Sequence, residues 1–443
     1  MNETVYFLSL GCDKNLSDSE HMLGLLRDAG YRFTDDETQA EVAVVNTCCF
    51  IGDAKKESIA EILRLSQYKE DSGLKALVVT GCLSERYASE LEKELPEIDG
   101  ALGIGSWDRI AEVVSEALEK KHPHVFDSNS RNIISPKRVL TTGGHYACLK
   151  IAEGCDKYCT YCVIPYVRGR YRSVPMEDLA AEAEFLAEGG VKELILVAQE
   201  TTLYGTDLYG KKMLPELLRR LSEIKGIEWI RLMYCYPEEV TEELLLTMKA
   251  LPKVLHYLDI PIQHASDEIL KRMNRRTNRA ELTEKIRMMR EIMPDIALRT
   301  TLISGFPGET PEDHKESCEL VREIRFDRLG VFCYSREENT PAAEMDHQVP
   351  EREKKKRRNA LMRIQQEIAF ENAERMIGRT LDVMIEGRVT DEIGILAGRS
   401  YLDAPEVDGL VFVETDADLL TGTVVSVKIT ASRGYDLIGE IVE

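Results

Sequence analysis

Glu153-Gly154-Cys155-Asp156-Lys157-Tyr158-Cys159-Thr160-Tyr161-Cys162 sets three cysteines in a C-x-x-x-C-x-x-C pattern. Three thiolates so close together can each hold one iron of a cubane [4Fe–4S] cluster, whose ordinary complement is four ligands. One iron then stays open to a small molecule with both an amine and a carboxylate, such as S-adenosylmethionine. The competing reading is a structural zinc site, which wants four Cys or His ligands at pairwise spacing. No His lies between Gly154 and Pro175 to complete that tetrahedron. Tyr161, just before the last cysteine, offers a flat face to an adenine ring; an ordinary packed tyrosine is the alternative.

Around this loop, six strand-like segments follow one another: Ala147–Ala152, Glu193–Ala198, Trp229–Tyr234, Tyr257–Ile262, Ala297–Ser304 and Leu329–Tyr334. Helical patterns separate them. In the first, Ser173 is the N-cap candidate, Pro175 lies just inside and Gly189-Gly190 is the stop. Thr310-Pro311, followed by Glu312 and Asp313, marks another start. Six βα units predict an open, partial TIM-type barrel over residues 143–374, with the cysteine loop on the C-terminal face where such barrels place their chemistry. Gln199 and Glu200 end one strand and Gly305 ends another; with Gly189 and Gly190 they are the candidate contacts for the small molecule. Glycines allow close backbone approach, although a tight turn uses them equally. His264, alone at a third strand end, reads as a satisfied hydrogen-bonding residue.

Residues 1–118 alternate strand and helix, which implies an α/β unit with a parallel sheet. Val5–Leu10 runs into Gly11-Cys12, with a helix opening at Ser17 and Asp18. Glu41–Val45 leads to Asn46-Thr47-Cys48, with a helix from about Lys55 to Tyr68, and Ala76–Thr80 leads to Gly81-Cys82, with a helix from Ser84. Ligands of open sheets gather beyond the carboxyl ends of the strands. Cys12, Cys48 and Cys82 share that position, so they converge as candidate ligands of a second cluster. Singly, each reads rather as a small buried residue; three at the same topological position reverse that reading. Cys49, adjacent to Cys48, points elsewhere. Cys148, Cys235, Cys318 and Cys333 sit in apolar contexts and read as core.

Residues 119–142 mix Lys, His, Pro, Asn, Ser and Gly and read as a linker. Glu351 to about Met376 is one charged amphipathic helix, whose Lys354–Arg358 basic run reads as a solvated face, with RNA contact as the alternative. Thereafter five short strands in residues 375–443 suit a small OB-like β-barrel: Thr380–Glu386, Ile393–Gly398, Leu410–Glu414, Thr423–Ala431 and Tyr435–Val442. Residues 376–443 hold 5 Lys or Arg against 13 Asp or Glu, the wrong sign for binding RNA.

The whole chain has 443 residues, 43% hydrophobic and 30% charged, with a net charge of −21. That balance argues against a general nucleic-acid surface and suits a basic macromolecular partner. Glu3 stands where a signal peptide has basic residues, and no run approaches a membrane span, so a cytoplasmic protein without membrane contact is expected. In a reducing compartment, eleven cysteines read as metal ligands or thiols rather than disulfides.

This order of domains resembles the radical S-adenosylmethionine methylthiotransferases over essentially the whole chain. Ser9-Leu10-Gly11-Cys12-Asp13-Lys14-Asn15 with Asp18-Ser19-Glu20, Val45-Asn46-Thr47-Cys48-Cys49-Phe50-Ile51 and Gly81-Cys82-Leu83-Ser84-Glu85-Arg86 resemble the branch that modifies a ribosomal protein. The tRNA-modifying branch more typically shows Gly-Cys-Gln-Met-Asn at the first site. Cys49 departs from the family, which usually has a small residue there. The resemblance implies that Cys155, Cys159 and Cys162 hold the [4Fe–4S] cluster that cleaves S-adenosylmethionine, and Cys12, Cys48 and Cys82 an auxiliary [4Fe–4S] cluster. It implies methylthiolation of the β-carbon of a specific aspartate in small-subunit ribosomal protein twelve, with an external electron donor. The C-terminal module resembles a TRAM domain, expected in this branch to bind the protein substrate. The alternative is a tRNA methylthiotransferase acting on a modified adenosine; the acidic module weighs against it, and stable tRNA binding is not expected.

Overall fold

The computed structural model describes residues 3–130, 133, 137–389 and 394–442. Residues 131–132 and 134–136 of the expected linker, and Ile393 at one expected strand start, lie outside the described residues. The N-terminal unit is a parallel sheet of β1 (Thr4–Ser9), β2 (Arg32–Phe33), β3 (Val42–Thr47), β4 (Ala76–Gly81), β5 (Gly100–Leu102) and β6 (His124–Val125), in the order β2-β1-β3-β4-β5-β6. Strands β3 and β4 are buried at every position, which is why they read as unbroken apolar runs. Register pairs Ser9 with Asn46 and Thr47 with Gly81, so three strand ends come level. The edge strands β2 and β6, and β5 beside the latter, are two or three residues long, too short to leave a periodic pattern. Strand β6 lies within the stretch that reads as a linker.

Helices begin closer to the cysteines than expected. The first spans Asp13–Asp28 with Cys12 as its N-cap, the second Gly52–Ser66, and the third starts at Cys82 itself and ends at Arg86.

The central unit is a second, open parallel sheet. Its strands are β7 (Tyr146–Lys150), β10 (Glu193–Val197), β11 (Trp229–Leu232), β12 (Val254–Asp259), β13 (Ala297–Ser304) and β14 (Arg328–Cys333), ordered β14-β13-β12-β11-β10-β7. A short antiparallel ribbon, β8 (Ala152–Glu153) with β9 (Arg172–Ser173), closes the base of the cysteine loop. Ser173 therefore ends β9 instead of capping a helix. Its hydroxyl donates to Asp207 at 2.6 Å, and Pro175 takes the N-cap of helix Met176–Glu188. Thr310 and Asp313 do form a reciprocal capping box on helix Pro311–Ile324.

Alternation along these strands divides the sheet. Leu149, Leu194, Leu196 and Leu258 pack under the helices of one face. Tyr146, Ile195, Trp229 and Tyr257 turn to the other and meet the C-terminal barrel. That barrel closes in the order β15 (Thr380–Arg388), β16 (Ile395–Ser400), β17 (Val411–Glu414), β19 (Asp436–Ile441) and β18 (Val424–Arg433). The helix Glu351–Glu374 leads to it. Its basic run is not simply a solvated face. Lys354 Nζ donates to the Tyr334 carbonyl at 2.8 Å, and Arg357 pairs with Glu309 at 2.9 Å, both side chains buried.

Polar side chains lock the barrel to the sheet. Glu193 accepts from Arg231 and from Arg399, each at 2.7 Å, with all three residues at most 1% exposed. Arg231 also donates to the Tyr401 carbonyl at 2.9 Å. Tyr257 donates to Asp408 at 2.8 Å, and Arg328 pairs with Asp403. Among the described residues no helix is long and apolar enough to cross a membrane. Replacing Glu193 with alanine leaves two buried guanidiniums facing a void. Removing one partner of such a pair costs about 3–5 kcal/mol, so the midpoint of denaturant unfolding is expected to fall accordingly while Glu193→Gln loses less.

Candidate active site

Level strand ends bring Cys12, Cys48 and Cys82 to one edge of the N-terminal sheet, each within three residues of its strand. Cys82 follows Gly81, whose φ of +94° and tight surroundings exclude a side chain; an added Cβ would lie 2.2 Å from Asn46 Oδ1. Gly11 presses against Cys48, its would-be Cβ only 2.8 Å from the cysteine's own. Asn15 ties the loops together, its Nδ2 donating to the carbonyls of Leu10 at 2.8 Å and Thr47 at 2.9 Å. Cys82 Sγ lies 3.7 Å from Asn15 Oδ1. Burial pushes the Cys48 and Cys82 thiols up, and the neighbouring Cys12 adds to it. Cys49 turns instead into the apolar core, fully buried, with its thiol pushed up to about 11 by burial. Ser58 fixes Cys48 by accepting from its N–H at 3.0 Å and donating to its carbonyl at 2.8 Å.

The second triad sits on the loop between β8 and β9. Gly154, at φ +77°, lets the strands cross: a Cβ there would lie 2.2 Å from the Arg170 carbonyl. Cys155 N–H donates to Gly169 O at 3.1 Å and Cys162 N–H to Cys159 O at 3.0 Å. From outside, Thr160 N–H donates to Met273 O at 3.1 Å, and Asn274 Nδ2 to Tyr158 O at 2.9 Å. Burial pushes the Cys155 thiol up to about 12 and raises that of Cys162, and the neighbouring Cys159 sulfur adds to both. Cys159 Sγ stands 3.5 Å from the Tyr236 hydroxyl, a ring flanked by Arg275 at 4.1 Å and Lys157 at 4.8 Å.

The two triads adjoin. Val163 and Val167, just after Cys162, share one apolar cluster with Cys82 and Leu83. Between them lies Arg168, 1% exposed, which donates to both Glu153 oxygens at 2.9 Å, to Asp18 at 3.3 Å and to Asn15 Oδ1. Lys150 joins the same carboxylates, Glu153 at 2.8 Å and Asp18 closer still. Among the described residues no three His, Cys, Asp or Glu side chains close on one point as a single ion requires. A cube binds each thiolate at a separate iron and makes no such demand.

Beside the second triad several buried polar atoms lack partners. Glu200 Oε1 accepts from Thr202 N–H at 2.9 Å, but Glu200 Oε2 has no hydrogen bond; Lys157 Nζ stands 4.0 Å from it. Burial pushes this carboxyl up to about 7. Gln199 Oε1 and the Tyr171 hydroxyl are also unpartnered, although Gln199 Nε2 donates to Glu153 at 3.0 Å. Unpaired acceptors of this kind, in reach of Cys155 by their electrostatic influence, suit a molecule rich in donors such as an amine and ribose hydroxyls. The donor set fits S-adenosylmethionine beside a cluster.

Other candidate contacts fall elsewhere. Gly189 and Gly190 end helix Met176–Glu188 and precede β10, so they lie at the amino end of the strands, opposite the cysteine loop. Gly305 packs against Lys354, whose Cγ would lie 2.2 Å from an added Cβ; its glycine serves helix packing. Tyr161 lies in an apolar cluster, edge-on to Phe306 at 6.4 Å. His264 Nδ1 accepts from Ser266 N–H at 3.0 Å and is satisfied. Cys148 and Cys235 are buried, whereas Cys318 and Cys333 are only partly so. Asn15 stood inside a recognisable motif, whereas Arg168, Glu153 and Tyr236 carried no local signal.

Three family descriptions match in chain order: "Uncharacterized protein family UPF0004" over residues 4–103, "Radical SAM superfamily" over 149–321 and "TRAM domain" over 377–442. Among solved structures, the radical S-adenosylmethionine methyltransferase TsrM from Kitasatospora setae, with cobalamin and a [4Fe–4S] cluster bound, superposes with a TM-score of 0.54 at 16% identity, covering 92% of this chain and 82% of that one. That likeness concerns the fold. Proteins named ribosomal protein uS12 methylthiotransferase RimO match throughout: that of Lachnoclostridium phytofermentans at 59% identity over 98% of this chain and 99% of its own, and that of Desulfitobacterium hafniense at 48% over 100% and 99%. With full-length identity of that order, three matching domains and two adjoining cysteine triads, the chain belongs to the RimO family of radical S-adenosylmethionine methylthiotransferases.

Proposed function

We propose that this protein replaces a hydrogen on the β-carbon of one aspartate of ribosomal protein uS12 with a methylthio group. The observation that carries the reading is the adjoining of two cysteine triads, each with two buried thiols and one half-buried. In this reading Cys155, Cys159 and Cys162 hold one [4Fe–4S] cluster and Cys12, Cys48 and Cys82 the other, each leaving an iron open. When bound, the clusters and S-adenosylmethionine supply one-electron chemistry: homolytic removal of hydrogen from an unactivated carbon, and a methylthio group to put in its place. Acid–base catalysis, worth roughly 10²–10⁴-fold, does not reach such a carbon, because the adjacent carboxylate already carries negative charge.

The protein's own residues bind, orient and enclose. Glu200 Oε2 accepts from the amine of S-adenosylmethionine, with Gln199 Oε1 and Tyr171 beside it for the remaining donors. Arg168 supplies a fixed positive charge next to Cys82 and Cys12, where three thiolates would otherwise repel one another. Water is kept out by the clasp of the N-terminal unit on the end of β14: Arg86 pairs with Glu337 at 3.0 Å and Gly52 N–H donates to Ser335 at 3.2 Å. The exposed acids Glu414, Asp416 and Asp418 of the barrel favour a basic protein over tRNA. Cysteine usage supports a reducing, cytoplasmic setting, and the first electron comes from an external donor.

Alanine at Cys155, Cys159 and Cys162 together is expected to halve the iron and sulfide of anaerobically reconstituted protein and to abolish release of 5′-deoxyadenosine. Alanine at Cys12, Cys48 and Cys82 halves the metal too, but leaves that release intact. Glu200 must ionise to receive an amine, so affinity for S-adenosylmethionine, read by equilibrium dialysis, rises as pH climbs through about 7. Glu200→Gln flattens that profile and weakens binding about tenfold or more, with iron content unchanged. Mass spectrometry of uS12 from cells with and without the protein decides the substrate: one methylthio group on one aspartate is expected, and an unchanged mass overturns the reading.

A further inference from the structure

Lys14 lies two residues after Cys12, in the first turn of helix Asp13–Asp28, where the helix dipole disfavours a cation. The residue is only 6% exposed, yet among the described residues its ammonium has no ion pair and no hydrogen-bond acceptor. It rests 3.2 Å above the centroid of the Tyr234 ring. Burying a charge without a counter-ion is unfavourable, and a ring face compensates only in part. Tyr234 follows β11, its hydroxyl donating to Asp13 at 2.8 Å, and the charge of Lys14 also reaches Cys148 in β7. The ammonium is therefore enclosed between the auxiliary triad and the carboxyl end of the second sheet.

Among the described residues, every other buried cation there has a carboxylate partner. Lys150 and Arg168 pair with Glu153, Arg275 with Glu238 and Arg299 with Asp259. Together with the thiolates, these carboxylates oppose an incoming anion there; Arg275 keeps Nε and Nη1 without acceptors but has Glu238 as its counter-ion, whereas Lys14 has no carboxylate partner. We propose that Lys14 binds the carboxylate of the aspartate that is modified. This deepens the uS12 reading and rests on it. The carboxylate carbon is bonded directly to the β-carbon, about 1.5 Å away. Gripping the carboxylate therefore sets the reacting carbon beside Cys12's loop, and a neutral side chain is rejected because it leaves the ammonium unpaired.

The test uses holoenzyme with both clusters and S-adenosylmethionine, and two labelled uS12 peptides, one with the aspartate and one with asparagine in its place. Anisotropy titration of the natural protein should show about tenfold or greater preference for the aspartate peptide. Lys14→Met, whose chain fills the same space under Tyr234, should bring both peptides to one affinity, while Lys14→Arg keeps the preference. Iron content and dialysis of S-adenosylmethionine should not move; Lys14→Gln replaces the methionine variant should the latter lose iron. A methionine variant that still prefers aspartate overturns the proposal. Loss of S-adenosylmethionine binding instead overturns it too, assigning the ammonium to the cofactor's carboxylate. Should the natural protein bind neither peptide, the uS12 reading itself falls, an outcome distinct from a failure of Lys14 alone.

Discussion

Arg168 reaches from the loop that carries one triad into the floor of the other, and the arrangement of the site depends on its buried guanidinium. Its partners come from two units, as no single domain provides them all: Glu153 belongs to the central unit, Asp18 and Asn15 to the N-terminal one. Desolvating so many charges is unfavourable unless each is paired and hydrogen-bonded, so the network is satisfied only when both units sit in one relative position. Lys150 repeats the constraint on the same two carboxylates. Hence the network sets position more than it adds stability, and what it positions is the approach of Cys82 to the loop of Cys162.

A second polar lock acts at the other end of the central sheet. The inner-facing side chains of its strands divide along their length. Within the strands, Glu193 at the start of β10, Arg231 and Tyr257 receive the barrel; beyond the carboxyl ends, Tyr234 and the cysteine loop face the N-terminal unit. An open sheet of six strands would otherwise expose this face, which a closed barrel fills with its own side chains. The flanking units therefore do for the open sheet what missing strands would do. They leave the chemistry between the sheet and its N-terminal neighbour.

What could be read from residues alone followed the range of the interaction that fixed it. The six parallel strands of the central sheet were legible because burial on both faces gives long apolar runs, and the cysteine loop because its ligands are local. Convergence of Cys12, Cys48 and Cys82 was legible because topology alone puts parallel strand ends together. Helix starts were misplaced because nothing in a propensity marks Cys12 as an N-cap or Cys82 as a first helical residue. Glycine was ambiguous: Gly154 serves the site, Gly305 serves a helix and Gly190 merely stops one, yet all three have positive φ. Arg168 was invisible because its partners lie up to 153 residues away. The Lys354–Arg358 run was misread in part because burial of Lys354 and Arg357 is decided by Tyr334 and Glu309.

Charge in the C-terminal barrel shows the same limit with a functional consequence. Six acids lie between Asp403 and Asp418, within the module whose composition has the wrong sign for RNA. Two of them face inward, Asp403 meeting Arg328 and Asp408 accepting from Tyr257, and the exposed Glu406 is engaged by the Tyr146 hydroxyl. Asp418 pairs in turn with the exposed Arg388 at 2.6 Å, a contact that screening by solvent leaves weak. The barrel's own outward field is thus smaller than its composition implies. At physiological salt such a field fades within about 8 Å, so a local patch steers only at close range. Attraction of a basic ribosomal protein must then come largely from the excess of −21 carried by the chain as a whole, a field that speeds encounter without choosing the residue to be modified. That choice is left to the chamber, where shape and the placement of single charges decide which side chain fits.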